Sequence, residues 1–187
     1  MDPRKFLNSL FEIAVAKAQP GECVPPFLSK LNFTERTVVF GAGKASAAMA
    51  QAVEQHTSAA LEGLVITRYG HAVECQQIEI VEAGHPVPDQ QGMRAAASML
   101  ELASGLTEKD SVLCLISGGG SSLLSLPAPG LSLEDKRVIT CLFSRLNPGA
   151  GSDNREDPPP EIRHNAESFS VSPEAISSID AAALIPC

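Results

Sequence analysis

Residues 37–46 read Thr-Val-Val-Phe-Gly-Ala-Gly-Lys-Ala-Ser, a short apolar run that passes through two glycines into a segment rich in Ala, Met and Gln. The apolar run predicts a buried strand, and the glycines predict a tight turn at its end. Residues 44–55 predict a helix, because Ala, Met and Gln are good helix formers. A strand that turns through glycine into a helix is typical of open α/β sheets, which bind ligands beyond their strand ends.

The same alternation continues along the chain. Apolar runs at 64–67, 78–82 and 112–116 predict three more strands, and residues 90–103 predict a long helix that begins after Asp89 as its N-cap. The run 112–116 is apolar on both faces, as a central parallel strand should be. We therefore predict an α/β fold, with a Rossmann-like open, mostly parallel sheet and helices on both of its faces.

Helices are also predicted at the two ends of this region. Asp2 caps a first helix, and the spacing Ser132 to Asp135 starts a last helix that reaches about Leu142. The first helix carries an apolar stripe of Phe6, Leu7, Leu10, Phe11 and Ala14. From about residue 145 the chain is rich in Ser, Pro and small residues, which predicts disorder. We place an α/β domain at 1–140 and a tail at 141–187.

Composition excludes several classes of function. The 187 residues carry a formal net charge of −8, which argues against a nucleic-acid partner. No apolar run approaches the ~20 residues that span a bilayer, so no membrane partner is expected. Five scattered cysteines without a Cys-x-x-Cys pair favour a reducing, cytoplasmic location and give no metal-ligand spacing. The oligomeric state does not follow from the sequence.

The glycine turn after the first strand is one candidate binding site. Gly41 and Gly43 let backbone N–H groups face an anion at a helix N-terminus, and Lys44 adds a positive charge there. The turn is not a P-loop, because that motif has four residues between its first glycine and the Gly-Lys pair, and here only one residue lies between them. Ser46 is a further candidate ligand contact of this turn, although it stands where a dinucleotide fingerprint has Gly or Ala. Arg68 follows the second predicted strand, where it could face a 2′-phosphate. A purely structural turn is the alternative.

Two further segments after predicted strands are candidate ligand contacts. His85 follows the third strand within Gly-His-Pro-Val-Pro-Asp. The strongest apolar strand ends in a glycine-serine loop made of Ser117, Gly118, Gly119, Gly120, Ser121 and Ser122. Its glycines allow close approach of a ligand to the backbone, and its spacing does not give the nucleophile elbow Gly-x-Ser-x-Gly. From the residues alone, we expect a small phosphate or carboxylate ligand.

Four ordered motifs resemble those of the glycerate 2-kinases of the MOFRL-associated type. They lie at 38–45, 63–67, 84–89 and 115–124, and the segment 131–136 is similar to the one that follows them in that family. Some relatives in the family carry the name hydroxypyruvate reductase. The resemblance implies ATP-dependent phosphorylation of glycerate at its 2-hydroxyl, giving 2-phosphoglycerate, with Mg²⁺. It also implies that Lys44 is the active-site lysine and that 117–122 is the glycine-serine loop.

The resemblance ends near Thr140, where the family continues with an Asn-x-x-Arg-Lys segment and a C-terminal domain. We interpret the chain as an incomplete N-terminal lobe, truncated or frameshifted, with Mg²⁺ ligands in the missing part; a natural short variant is the alternative. We expect no substantial kinase activity from the chain alone. Two other functions stay open: an NAD(P)H-linked hydroxypyruvate reductase, and a non-catalytic fragment.

Overall fold

The fold alternates helices and strands along the chain. A computed structural model describes residues 2–118, 122–138 and 182–186. Its elements are α1 (Pro3–Lys17), α2 (Pro20–Cys23), α3 (Pro25–Leu28), β1 (Thr37–Gly43), α4 (Ser46–His56), β2 (Leu61–Arg68), β3 (Glu79–Ala83), α5 (Gln90–Ser104), β4 (Ser111–Ser117) and β5 (Ala182–Pro186). Residues 133–138 are also helical, which agrees with the helix predicted after Ser132.

The strands form one sheet in the order β3-β2-β1-β4-β5, and every neighbouring pair is parallel. The register places Val39 of β1 beside Gly63 of β2 and Leu113 of β4. β1 is therefore a central strand, and all seven of its residues are buried. The predicted parallel α/β sheet is confirmed.

Each face of the sheet has its own apolar core. On one face, Val39 and Leu115 pack with Met49 and Val53 of α4. On the other face, Phe40 and Ile66 pack with Ala95 and Met99 of α5. Successive residues of β1 point to opposite faces, so its continuous apolar run supplies both cores. Helices on both faces of the sheet are thereby confirmed.

The predicted helix caps at Asp2 and Asp89 are present. The side chain of Asp2 accepts a hydrogen bond from the Arg4 N–H at 3.0 Å, and that of Asp89 accepts one from the Gly92 N–H at 2.8 Å. Each satisfies a donor that the first helical turn would otherwise leave unpaired. The caps fix where α1 and α5 begin, and Asp89 holds the loop after β3 against the start of α5.

Most of the predicted tail, residues 141–181 and 187, lies outside the described residues. Residues 182–186 form β5, which pairs with the outer edge of β4 in a register that joins Val112 to Ala182. These five residues of the tail are therefore a strand in the structure, because parallel pairing needs only backbone groups on the open edge of β4. No described helix is both long enough and apolar enough to cross a membrane.

Candidate functional site

The candidate site lies at the carboxyl ends of β1 to β4. Because these strands are parallel, their carboxyl ends share one edge of the sheet. The register pairs Gly43 with Ser117 and Arg68 with Ala83. Lys44 follows β1 directly, and His85 lies two residues beyond β3. The side chains of Lys44, Arg68 and His85 thus lie at or just beyond the carboxyl ends of three adjacent strands.

The glycines of the first turn are explained by the packing of β1 on β4. Gly43 has a φ of 134°, and a Cβ atom there would lie 2.0 Å from the carbonyl oxygen of Ser117. A Cβ on Gly41 would lie 2.9 Å from the carbonyl oxygen of Leu115. The space beside both glycines is thus filled by β4. A ligand contact through their backbone groups stays a prediction.

Three hydrogen bonds fasten the turn to its neighbours. The Ala45 N–H donates to Oγ of Ser117 at 3.1 Å, and the Thr67 hydroxyl donates to the Lys44 carbonyl at 3.4 Å. The Ser46 hydroxyl is fully buried and donates to the Leu115 carbonyl at 3.1 Å. The structure therefore does not bring Ser46 to the open edge with Lys44, although both were predicted as ligand contacts. The hydroxyl of Ser117 is half-buried and helps to shape the turn.

Lys44 supplies an exposed positive charge at the site. Its side chain is exposed, and within residues 2–118 and 122–138 its ammonium has no ion-pair partner. A flexible lysine at the end of β1 can reach an anion that lies over the strand ends. This placement agrees with the predicted role, which stays a prediction until binding is measured.

His85 joins the loop after β3 to the segment after β4. Its Nδ1 atom shares a hydrogen bond with Oγ of Ser122. In the sheet order β2 and β1 lie between β3 and β4, so this bond joins segments that follow two strands that are not neighbours. Burial lowers the pKa of His85, and the charges of Lys44 and Arg68 lower it further. Both effects favour the neutral imidazole, which acts as a hydrogen-bonding group rather than a charge.

The glycine-serine loop is only partly described. A Cβ atom on Gly118 would meet nothing within 4 Å, so the loop begins in open space. Ser122 is half-buried and bonds to His85. Ser125 is fully buried, and its hydroxyl donates to the Ser122 carbonyl at 2.6 Å. The predicted contacts Gly119, Gly120 and Ser121 lie outside the described residues.

The acidic groups near this edge are engaged in holding loops. Burial raises the pKa of Asp89, but hydrogen bonds from Gly92, Tyr69 and Gly84 and the charge of Arg137 lower it more, so the net pKa is below its usual value. Asp89 is thus an ionised cap, and Tyr69 donates to it at 2.7 Å.

Glu82 and Glu54 have structural roles that the sequence did not reveal. Oε1 of Glu82 accepts hydrogen bonds from the N–H groups of residues 70–72. The carboxylate of Glu54 accepts three from residues 76–78. In sequence, both look like solvent-facing acids, and no local signal marks the loops that they hold.

The described residues do not fit Mg²⁺. No three His, Cys, Asp or Glu side chains among them lie close enough together to hold a metal ion. The carboxylates at this edge already accept the hydrogen bonds given above. A metal would therefore need ligands from elsewhere, such as substrate phosphates or further protein.

The comparisons with known proteins agree with this geometry. Residues 6–147 match the family described as "Domain of unknown function (DUF4147)". A "Putative hydroxypyruvate reductase" of Agrobacterium vitis is 48% identical over 137 residues, which are 73% of this chain and 31% of that protein. A "D-glycerate 2-kinase" of Thermotoga maritima is 39% identical over 144 residues, 74% of this chain and 34% of that one.

Solved structures show the same relation. The crystal structure of a glycerate kinase from Thermotoga maritima superposes with a TM-score of 0.67 at 37% identity, over 78% of this chain and 35% of that chain. A Pyrococcus horikoshii protein gives a TM-score of 0.64 at 34% identity, over 80% of this chain and 36% of that one. The chain thus spans about a third of the length of these relatives. The resemblance drawn from the four motifs is confirmed, and the chain belongs to the DUF4147 family.

Proposed function

We propose that this chain is the N-terminal, anion-binding part of a glycerate kinase. In the complete protein it would serve the ATP-dependent phosphorylation of glycerate to 2-phosphoglycerate. The observation that carries the proposal is the convergence of Lys44, Arg68 and neutral His85 at the carboxyl edge of β1, β2 and β3. The names of the kinase relatives support the same reading.

This edge has the properties that phosphoryl transfer requires. The reaction needs positioned groups and neutralisation of negative charge more than covalent chemistry from the protein. Lys44 supplies a point charge for a phosphate or carboxylate, and Arg68 supplies a second charge beside it. The Ala45 N–H already donates to Ser117, so side-chain charge contributes more here than the backbone cradle predicted from the glycines.

His85 fits a role in holding the neutral part of the substrate. Its lowered pKa leaves the imidazole uncharged, and Nδ1 is occupied by Ser122. Nε2 is then the ring nitrogen left for a substrate hydroxyl or carboxylate. We assign glycerate binding to His85 and charge neutralisation to Lys44. The predicted contacts Gly118, Gly119, Gly120 and Ser121 remain part of this proposal as the loop facing the other anion.

Turnover requires groups that the described residues do not supply. The described acids near the edge hold loops, and no metal-ligand cluster is found among the described side chains. We therefore propose that the isolated chain binds anions without transferring phosphate. The remaining two thirds of a family chain would bring the metal ligands and exclude water.

Hydroxypyruvate reduction with NADPH is the second candidate function. Its support is the name of the Agrobacterium vitis relative and the position of Arg68 at the end of β2, where it could meet a 2′-phosphate. The packing of Gly43 argues against the reductase. β4 fills the space beside Gly43, whereas a dinucleotide needs to approach the backbone closely at this turn.

Titration calorimetry with ATP, D-glycerate and NADPH tests these alternatives. We expect ATP and glycerate to bind, and Lys44→Ala to weaken binding of at least one of them by roughly 2- to 5-fold, because an exposed charge pair is worth up to about 1 kcal/mol. The matched control is Lys109→Ala, an exposed lysine in the loop before β4. Equal effects of the two variants would contradict the role of Lys44. Tight NADPH binding that Arg68→Gln abolishes would favour the reductase.

A further inference from the structure

We propose that the apolar face of α1 is an interaction surface, and that it packs against the part of a DUF4147-family chain that follows the matched region. The surface, called here the α1 stripe, consists of six large side chains: Phe6, Leu7, Leu10, Phe11, Ile13 and Val15. The inference is independent of the reaction proposed above.

The α1 stripe is open in the structure. Phe11 is 69% exposed and Leu7 is 63% exposed, and no residue of α1 is buried. Among the described elements, the main neighbour of α1 is the four-residue helix α2. Monomeric proteins rarely leave so many large apolar side chains together in water. We therefore expect a partner to cover this face.

The stripe has the pattern of a packed helix. Its members recur at the three- and four-residue spacing that keeps side chains on one side of a helix. The opposite side carries Lys5, Asn8, Ser9 and Glu12, which suit solvent. An isolated helix of this length is marginally stable in water, so α1 gains most from burial of its apolar face.

The comparisons point to the occupant. The family match begins at Phe6, so the stripe lies inside the family region. The matched part of the chain makes up 31% of one relative and 34% of another, and its described residues leave the stripe uncovered. The remaining two thirds of such a chain are the segment available to cover it.

Two other occupants are disfavoured. An anionic membrane would repel a chain with a net charge of −8, although α1 itself carries three basic residues and one acidic residue. A second copy would meet α1 along a helix of 15 residues, about 22 Å long. That contact is too small for the roughly 1,200 Å² of a stable interface.

A chimera tests the proposal. Residues 1–138 of this chain replace the matched segment of the Agrobacterium vitis relative, which is 48% identical. Cysteine is placed on the stripe as Phe11→Cys or on the polar side as Ser9→Cys, and maleimide labelling is followed by peptide mass spectrometry. We expect Phe11→Cys to react at least 10-fold more slowly in the chimera than in the 187-residue chain. Ser9→Cys should react equally in both.

Stability gives a second readout. Phe11→Glu should leave the melting temperature of the 187-residue chain unchanged and lower that of the chimera by about 4 °C or more, while Ser9→Glu alters neither. The same cysteine placed at the aligned position of the intact relative gives the labelling result even where the graft does not fold. Equal Phe11→Cys rates in the long and short proteins would overturn the proposal. So would a dimer of the 187-residue chain that Phe11→Glu dissociates, or binding of that chain to anionic phosphatidylserine vesicles.

Discussion

Replacing Gly43 by alanine should destabilise the protein strongly, because two costs coincide at this residue. Its φ of 134° is a conformation that residues with a Cβ atom rarely adopt. The added Cβ would also lie 2.0 Å from the Ser117 carbonyl oxygen, a backbone atom that cannot rotate away. Either β1 and β4 separate at their carboxyl ends, or the turn before Lys44 changes conformation.

The size of the effect follows from these two costs. An unfavourable backbone conformation costs about 1–3 kcal/mol. Forcing extra atoms into a packed contact costs about 1–3 kcal/mol more. The sum, about 2–6 kcal/mol, is a large share of the 5–15 kcal/mol that usually separates folded from unfolded domains. The Gly43→Ala variant should therefore retain only a small free energy of unfolding.

Urea unfolding followed by far-UV circular dichroism measures the difference. The matched control is Gly70→Ala, because Gly70 has a φ of 76° and a Cβ atom there would meet nothing within 4 Å. The control carries the conformational cost without the clash. We expect Gly43→Ala to lower the free energy of unfolding by at least about 1 kcal/mol more than Gly70→Ala does. Equal losses in the two variants would show that the contact between β1 and β4 is not what requires glycine.

Three further predictions concern ionisable groups. Asp89→Ala should cost about 1 kcal/mol of stability as a lost N-cap. Because the pKa of Asp89 is lowered from 3.8, this loss should shrink only as the pH falls well below 3.8, and urea unfolding at pH 7 and pH 2 checks this. His85 should titrate below pH 6.5 in an NMR titration, and Lys44→Ala or Arg68→Gln should each move its pKa back toward 6.5. Because the pKa of His85 is lower in the folded than in the unfolded state, the free energy of unfolding should fall as the pH drops below 6.5. An unchanged His85 titration in both variants would contradict the proximity of Lys44 and Arg68 to His85. Cys75, whose pKa is raised to about 11 by burial and by Glu54, should react with iodoacetamide at pH 8 far more slowly in the folded than in the urea-unfolded protein.

The features that were predictable from the sequence are local ones. The apolar runs, the glycine turn and the caps at Asp2 and Asp89 each depend on residues within a few positions, and the structure contains all of them. The bond between His85 and Ser122 joins residues 37 positions apart. Such a contact depends on the order of strands in the sheet, which no local pattern records.

The glycine turn shows how the same residues can satisfy two readings. Gly41 and Gly43 were predicted to expose the backbone to a ligand, which stays a prediction, and the structure shows that they also let β1 approach β4. Ser46 was predicted to face the ligand, and its hydroxyl bonds to Leu115 in the interior. Both readings require small residues, so the sequence alone did not separate them.

The small residues of the turn pack in the interior, so ligand binding at this edge depends on exposed charges. An exposed charge such as Lys44 binds an anion weakly in water, because solvent and salt screen the attraction. The same charge becomes several-fold stronger when a covering segment excludes water from the strand ends. If the remaining two thirds of a family chain supplies that cover, the isolated chain should bind ATP or glycerate weakly and with a steep loss of affinity as salt rises. Affinity that does not change with salt would instead indicate a backbone cradle, and would return the glycine-serine loop at 117–122 to the centre of the site.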